Sequence, residues 1–420
     1  MPSLRFIHTA DLHLDTPFKG LTSYNPELAT RLSEATFKAF ERIIDACIRE
    51  KVDFLLISGD TFDRENKSLG AQLMFLKQVN RLASNQIPVY MICGNHDPLS
   101  SWLRQMVLPP NVFRFSSDQP VSVRFFRDEE PIADILGVSY YDKALTENIA
   151  VRYHRPIDPA PFSIALLHGN LTGTTQHDNY APFSLADLLA KDIDYWALGH
   201  IHQQQILHSG NPVVAYSGNP QGRDFGEKGQ KGCLLVTLST EHKPIIEPIP
   251  THWVRFDEVT VDLTEVAITT DLLDTIHRSI ENALNDEVSS SIIRLKLTGR
   301  TSLHHSLQQP NAVSDLIAQL NEGQLLKESF RMVDAVHIAT TPEIDLEQRK
   351  QGNDFFAAVL QAFDRLEADA SLLDQSILEL GKGMSPHLRS DNRQLSEEDR
   401  QYILRQARLQ LADLLTKEEA

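Results

Sequence analysis

Asp11-x-His13, Gly59-Asp60-x-x-Asp63, Gly94-Asn95-His96-Asp97, His168-Gly169 and Gly199-His200-x-His202 follow one another along the chain, each after a run that reads as a buried strand. Seven of these side chains, Asp11, His13, Asp60, Asn95, His168, His200 and His202, are oxygen or imidazole donors of the kind that bind divalent cations. Together they make up the ligand set of a two-metal site that cleaves phosphoester bonds. A phosphodiester presents a negatively charged centre and a poor leaving alkoxide. Two ions roughly 3.5 to 4 Å apart answer both problems, holding deprotonated water on one side and neutralising developing charge on the other. Such a site needs one carboxylate that reaches both ions, and Asp60, ending the second strand between the other ligand loops, is the expected bridge. Residues two apart in extended backbone point to the same side, so Asp11 and His13 are expected to share one ion. His200 and His202, at a strand terminus, can diverge to serve one ion each.

The absence of thiolate from this set suits Mn²⁺, Fe²⁺ or similar ions better than Mg²⁺ alone, whose sites rarely use histidine; Zn²⁺ also fits. If Asn95 coordinates, its neighbour His96 points away in a tight turn and is free to act as a general acid toward the leaving 3′-oxygen. Asp97 is the residue expected to fix the His96 tautomer, so His96 and Asp97 are the candidate catalytic pair.

The elements that must position these groups alternate strand, ligand loop and helix. Strands are predicted at Leu4 to Ala10, Val52 to Ser58, Ile87 to Cys93, Ala133 to Tyr140, Phe162 to Leu167 and Asp194 to Leu198, with shorter β-like runs at Pro212 to Tyr216 and Lys231 to Leu238. Pro26 to Glu50 carries apolar residues at helical spacing, and so does Leu69 to Ala83 through Leu73, Leu76, Val79 and Leu82. Pro98 to Met106 repeats that spacing at Leu99, Trp102, Leu103 and Met106, as core or as part of a dimer interface with Leu69 to Ala83. Two packed sheets with helices outside and ligands on loops at one edge are the expected result.

The Pro-containing stretch His242 to Pro250 reads as the exit from this first domain, residues 1–252. A smaller α+β cap follows over 253–342, predicted as strand Arg255 to Asp262, helix Asp271 to Leu284, strand Ser291 to Leu297, helix Ala312 to Leu320 and strand Arg331 to Ile338. Residues 343–420 read as helical, with one helix over Asp354 to Ala370 and another starting at Ser396, where Ser396 and Asp399 form a capping pair. That tail either packs on the cap or docks a partner.

At 420 residues the chain exceeds what one core usually supports, in keeping with several domains. Cys47, Cys93 and Cys233 are scattered without paired spacing, which excludes a disulfide framework and fits a reducing cytoplasm. No signal peptide and no run of membrane-spanning length is evident, so no membrane role is expected. The net charge of -17 runs against a surface that is basic all over, although bound cations reverse the field locally.

The motif set as a whole resembles the calcineurin-like metallophosphoesterases, and within them the DNA-repair exonuclease branch, SbcD-like and similar to the YhaO type, in which the opening Phe6-Ile7-His8-Thr9-Ala10-Asp11-Leu12-His13-Leu14-Asp15 is similar. The motif similarity covers Met1 to about Pro250; the cap and tail share the family's layout only. The resemblance implies an α/β fold: a four-layer metallophosphoesterase β-sandwich flanked by helices, with a small α+β cap domain that contacts DNA and a C-terminal helical tail. It implies that Asp11, His13 and His202 hold one ion and Asn95, His168 and His200 the other, around Asp60. It also implies a Mn²⁺-dependent exonuclease or endonuclease acting on DNA ends in repair, a homodimer formed through helices of the first domain, and an SMC-like ATPase partner of the SbcC/YhaN type on the tail. Archaeal and eukaryotic family members carry histidine at the position of Asp63, where this chain has an acid that can brace its loop or help place substrate.

Three further groups complete the reading. His177, in the polar loop Gly169 to Tyr180, lines a substrate channel with Tyr180 or belongs to a plain surface loop. Arg223, in the segment Tyr216 to Arg223, meets a DNA phosphate or closes a turn. His8, His154 and His208 are taken as ordinary core or surface histidines. Three functions fit: a metal-dependent DNA nuclease working with an ATPase, a small-molecule phosphodiesterase or phosphatase, and a mainly structural subunit of an ATPase complex.

Overall fold

A computed structural model describes residues 2–14, 16, 26–63, 68–143, 145–172, 180–264, 266–284, 290–343, 346–369, 371–373 and eight positions between 401 and 415. His177 and most of the tail beyond Leu373, including Ser396 and Asp399, lie outside the described residues. The first strands in chain order are β1 (Ser3–Thr9), β2 (Phe54–Ser58), β3 (Val89–Ile92), β4 (Val112–Arg114), β5 (Val121–Arg127) and β6 (Glu130–Gly137). They continue with β7 (Phe162–His168), β8 (Tyr195–Gly199), β9 (Gln205–His208), β10 (Val213–Tyr216), β11 (Gly232–Ser239) and β12 (Ile245–Pro250). Helices α1 (Pro26–Ser33), α2 (Ala35–Glu50), α3 (Leu69–Ser84) and α4 (Leu185–Leu189) connect them.

These strands form two six-stranded sheets, ordered β12-β11-β1-β2-β3-β4 and β5-β6-β7-β8-β10-β9. In the first, β1 to β4 run parallel and β11 and β12 close one side antiparallel. In the second, β6, β7, β8 and β10 run parallel between the antiparallel edges β5 and β9.

The period of two along each central strand builds the core. Phe6, Phe54, Leu56 and Ile92 from the first sheet meet Ile135, Ile164, Leu166, Tyr195 and Ala197 from the second. Their neighbours in sequence, Ile7, Leu55, Ile57 and Met91, face the other way and pack with Phe40, Ile43, Phe75, Val79 and Leu82 of α2 and α3. On the far side of the second sheet, Leu167, Trp196, Leu198 and Tyr216 pack with Phe183 and Leu188. Helix, sheet, sheet and covering layer follow from strands that are apolar on both faces. The α/β sandwich expected from the sequence is therefore present.

Several local readings differ. Ile245–Pro250 is an edge strand paired with β11, with Leu234 opposite Pro248 and Gly232 opposite Pro250. Prolines are tolerated there because one side of an edge strand needs no ladder donor. Pro98 to Met106 contains only the 3₁₀ turn Trp102–Gln105, and Leu99, Trp102 and Met106 pack against the first core. In α3 the buried face is Ala71, Phe75, Gln78, Val79 and Leu82, leaving Leu73 58% exposed and Leu69 67% exposed.

Beyond β12 come β13 (Val254–Asp262), α5 (Thr269–Leu284), β14 (Ser290–Thr301), α6 (His304–Leu307), α7 (Ala312–Asn321), β15 (Arg331–Pro342), α8 (Leu346–Lys350) and α9 (Phe355–Ala368), with the strands in the order β13-β14-β15. The chain divides into two compact units. The first is Met1–Glu258 with Asp286–Arg294 and Asn321–Asp334; the second is Val259–Asn285, Leu295–Leu320 and Ala335–Ala420. The first unit carries a further core in which Leu28, Leu32 and Ala35 meet Val254, Phe256, Ile292 and Phe330. In the second unit, α5 buries Leu272, Ile276, Ile280 and Leu284 at helical spacing. Asp354 caps α9 by accepting from Ala357 N–H at 2.8 Å, and Phe356 and Leu360 form a small cluster with Leu346 and Leu415. No helix among the described residues is long and apolar enough to cross a membrane.

His8 sits fully buried between the sheets, its Nδ1 2.9 Å from the Tyr195 hydroxyl. Burial lowers its pKa from 6.5 to about 3, so the folded chain holds it neutral. The stability this contributes is complete above pH 6.5 and is lost as pH falls toward 3, because only the unfolded chain takes up the proton. Urea midpoints measured between pH 7.5 and 5 are expected to fall less steeply for His8→Asn than for the wild-type chain.

Candidate metal centre

All five motifs leave their strands at one edge of the sandwich. β1, β2 and β3 end at Thr9, Ser58 and Ile92, in parallel register with one another, and β7 and β8 end opposite each other at His168 and Gly199. The loop after β1 runs along the loop after β2: Asp11, His13 and Leu14 N–H donate to the carbonyls of Gly59, Asp60 and Thr61, each at 3.0 Å. Asp97 ties the third loop to the second by accepting from the N–H groups of Gly94 at 2.7 Å, Thr61 at 2.8 Å and Asp60 at 3.2 Å.

These loops are tight. Asp11, His13, Asp60 and His200 all adopt positive φ, at 52°, 43°, 53° and 96°. Such backbone is unfavourable for non-glycine residues and persists where surrounding bonds over-determine it. Gly94 is required by crowding, since a Cβ there would lie 2.3 Å from Asp60 Oδ1 and 2.7 Å from His168 Nε2.

The seven expected ligands converge. Asp11, His13, Asp60, Asn95 and His168 are buried and His200 and His202 partly so. In one group, His13 Nε2 lies 3.3 Å from His202 Nε2, and His202 Nε2 lies 4.0 Å from Asp11 Oδ1. In the other, Asn95 Oδ1 lies 2.9 Å from His168 Nε2 and 3.3 Å from His200 Nδ1. Asp60 Oδ2 stands between them, 3.3 Å from His168 Nε2 and 4.0 Å from His13 Nε2. Asp11, His13 and His202, and likewise Asp11, Asp60 and His168, bring their donor atoms within 4.8 Å of one another.

The donor chemistry of these contacts fits divalent cations. His168 Nδ1 lies 2.9 Å from the Ser58 carbonyl, to which it donates, so Nε2 is the ring nitrogen left to bind a cation, and it faces the Asn95 oxygen, an acceptor. Two acceptors at hydrogen-bond distance are compatible when both point at a cation. Without a cation a proton takes that place: burial disfavours charge on His168, yet Asp60 and Asp11 outweigh it and raise the pKa to about 9. Burial likewise raises Asp11, with Asp60 adding to the shift. The pocket demands positive charge.

His96 is more open than the buried ligands, although its ring lies edge-on to His13 at 4.8 Å. Its ring is 40% exposed, whereas the five buried ligands are sealed, and its Nδ1 contacts Asp63 Oδ1 at 2.6 Å. The Asp63 hydrogen bond raises the His96 pKa. Asp63 is itself held by the Thr16 hydroxyl at 2.6 Å. Asp63, not Asp97, is therefore the carboxylate that sets the His96 ring, because Asp97 spends its oxygens on backbone donors. Asp63 and His96 also form, with His13, a third group of possible metal-binding side chains.

Arg223 is paired rather than open, donating through Nη2 to Glu227 Oε1 at 2.8 Å. Tyr180 edges onto the His200 ring at 5.4 Å. His154 is exposed, and His208 Nδ1 bonds the Pro212 carbonyl at 2.5 Å, as ordinary histidines do. Glu227, 2.6 Å from His202 Nδ1, was not among the residues singled out from sequence, since it belongs to no motif and lies 25 positions from its partner.

Residues 4–204 match the calcineurin-like phosphoesterase family, and residues 256–341 match the middle domain of the metallophosphoesterase YhaO. The uncharacterized metallophosphoesterase YhaO of Bacillus subtilis is 39% identical over 366 residues, covering 87% of this chain and 88% of the relative. The chain belongs to the calcineurin-like metallophosphoesterases. It is a metal-dependent hydrolase by that membership. This metallophosphoesterase is also similar to the DNA double-strand break repair protein Mre11 of Sulfolobus acidocaldarius, 24% identical over 70% of this chain and 75% of that protein. A further relative is one component of the nuclease SbcCD from Bacillus subtilis, 23% identical over 56% of this chain and 66% of that protein.

Gly94→Ala is expected to weaken divalent-metal uptake about tenfold or more, because its methyl group displaces Asp60 and His168. Metal analysis after equilibrium dialysis checks this, with circular dichroism unchanged.

Proposed function

We propose that this metallophosphoesterase is a two-metal DNA nuclease that hydrolyses phosphodiester bonds at DNA ends. The observation that carries the reading is a cluster of seven donor residues, five of them buried, beside a more solvent-exposed His96 held by Asp63. Asp11, His13 and His202 would hold one divalent ion and Asn95, His168 and His200 the other, with Asp60 between them. Mn²⁺ suits this donor set, with Fe²⁺ or Zn²⁺ as alternatives. Bound there, the ions supply Lewis acidity toward the phosphate and toward water. The protein's own part is to hold the phosphate beside His96, whose Nδ1–H is committed to Asp63, so that Nε2 is the atom that gives a proton to the leaving oxygen.

DNA as substrate is supported by the named activities of the nuclease and break-repair relatives. An SMC-like ATPase partner belongs to the same proposal, in keeping with a relative named as one subunit of the nuclease SbcCD, and a cytoplasmic setting accords with the free cysteines Cys47, Cys93 and Cys233. We assign residues 253–342 to DNA contact and residues 343–420 to partner docking, consistent with the exposure of Phe355 at 72% on α9. A homodimer through α3 accords with the exposed Leu69 and Leu73. The net charge of -17 favours the competing reading, a small-molecule phosphodiesterase or phosphatase built on the same centre.

With Mn²⁺, the purified chain is expected to degrade end-labelled duplex or single-stranded DNA, and activity confined to cyclic nucleotides or phosphomonoesters would favour the competing reading. His96→Ala is expected to keep its metal content and lose roughly 10²- to 10⁴-fold in turnover. Collapse of metal occupancy in that variant would make His96 a ligand instead of an acid.

A further inference from the structure

The histidines that face the two ions are oriented by different means. His168 donates Nδ1–H to a neutral main-chain carbonyl, that of Ser58, at 2.9 Å. His202 instead places Nδ1 2.6 Å from Glu227 Oε1, shorter than the 3.1 Å to Arg223 Nη2, whose proton is directed to Glu227, while its Nε2 faces His13 Nε2 at 3.3 Å. Glu227 is held by further donors: Arg223 Nη2 to Oε1 at 2.8 Å, Arg223 N–H to Oε2 at 2.9 Å and Asn219 Nδ2 to Oε2 at 2.8 Å. The main chain of His202 is pinned as well, its carbonyl accepting from Lys231 Nζ at 2.9 Å and from Asn219 N–H at 3.2 Å. A carboxylate behind a metal-facing imidazole fixes its tautomer and strengthens it as a donor more than a carbonyl does.

We propose that Glu227 is the positioning residue for the ion held by Asp11, His13 and His202, and that this ion depends on a carboxylate lying outside all five ligand motifs. The proposal rests on the two-metal reading above. Glu227 also lies beyond residues 4–204, the stretch matched by the phosphoesterase family. Its turn is fastened from behind within the first unit: Phe225 packs edge-on against Phe256 at 5.2 Å, and the Arg294 guanidinium sits 3.8 Å over the Phe225 ring. The first ends of β13 and β14 thus steady a ligand of the first ion through a two-residue lever.

The test is Mn²⁺ titration of the metal-free full chain by calorimetry, together with ¹⁵N-histidine NMR of the same metal-free protein. The wild-type chain is expected to bind two ions and His202→Ala to lose one. Glu227→Ala is expected to weaken one of the two ions by about ten- to hundredfold and leave the other unchanged. Glu227→Gln, whose amide oxygen still accepts from Nδ1–H but whose NH2 meets the donors Arg223 N–H and Asn219 Nδ2, recovers only part of that affinity. Without metal, His202 in the wild-type chain carries its proton on Nδ1, and Glu227→Ala shifts it toward Nε2, a change that mere loosening of the turn would not produce. Phe225→Ala, which leaves every polar contact in place, is expected to give a smaller loss at the same ion. Wild-type binding of both ions by Glu227→Ala, or an unmoved His202 tautomer, overturns the proposal. A wild-type chain that takes up no ions overturns the two-metal reading instead.

Discussion

The hydrogen bond from His168 Nδ1 at the end of β7 to the Ser58 carbonyl at the end of β2 ties the two sheets together where the chemistry sits. It fixes the His168 ring, turns Nε2 toward Asn95 and Asp60, and sets how closely the two rows of strand ends approach. The fit leaves no space for side chains at the adjoining positions: a Cβ on Gly199 would lie 1.9 Å from that same Ser58 oxygen, and one on Gly59 would lie 2.3 Å from His168 Nδ1. The glycines that precede the ligands are thus part of the geometry that brings two sheets into one site.

What the two sheets enclose is a set of carboxylates that water cannot reach. Asp11 and Asp60 are each 1% exposed, and burying a carboxylate without a compensating charge is costly. The fold answers with histidines at every side and with backbone donors: His200 N–H to Asp11 at 3.1 Å, His96 N–H to Asp60 at 2.8 Å. Stability of the apolar layers supports a polar centre that is unfavourable by itself. That exchange is common where a site is built for ions that are stronger counter-charges than imidazolium.

Much of this was legible in the sequence because it depends on local periodicity. The central strands are apolar on both faces, and each runs straight into its ligand motif, so strand ends and site residues could be read together. What escaped depends on partners far apart in sequence. The assignment of Asp97 to His96 followed adjacency, whereas the folded loops bring Asp63 to the ring and direct Asp97 to the N–H groups of Gly94 and Thr61. Arg223 reads as a phosphate contact or a turn closure, and its pairing with Glu227 is marked by neither reading. β4, β5, β9 and β12 are short or exposed edges, and Ile245–Pro250 carries prolines that mimic a linker. Leu73 follows the helical stripe of α3 yet faces outward, because Phe75 and Gln78 occupy the buried side.

The central claim is that one carboxylate, Asp60, stands between two metal-holding groups, each drawn from both sheets. Anomalous diffraction at the manganese edge from crystals grown with Mn²⁺ tests it most directly. The account predicts two peaks roughly 3.5 to 4 Å apart, with Asp60 touching both, His13 and His202 on one, and His168 and Asn95 on the other. A single peak, or a pair that Asp60 does not bridge, would contradict it.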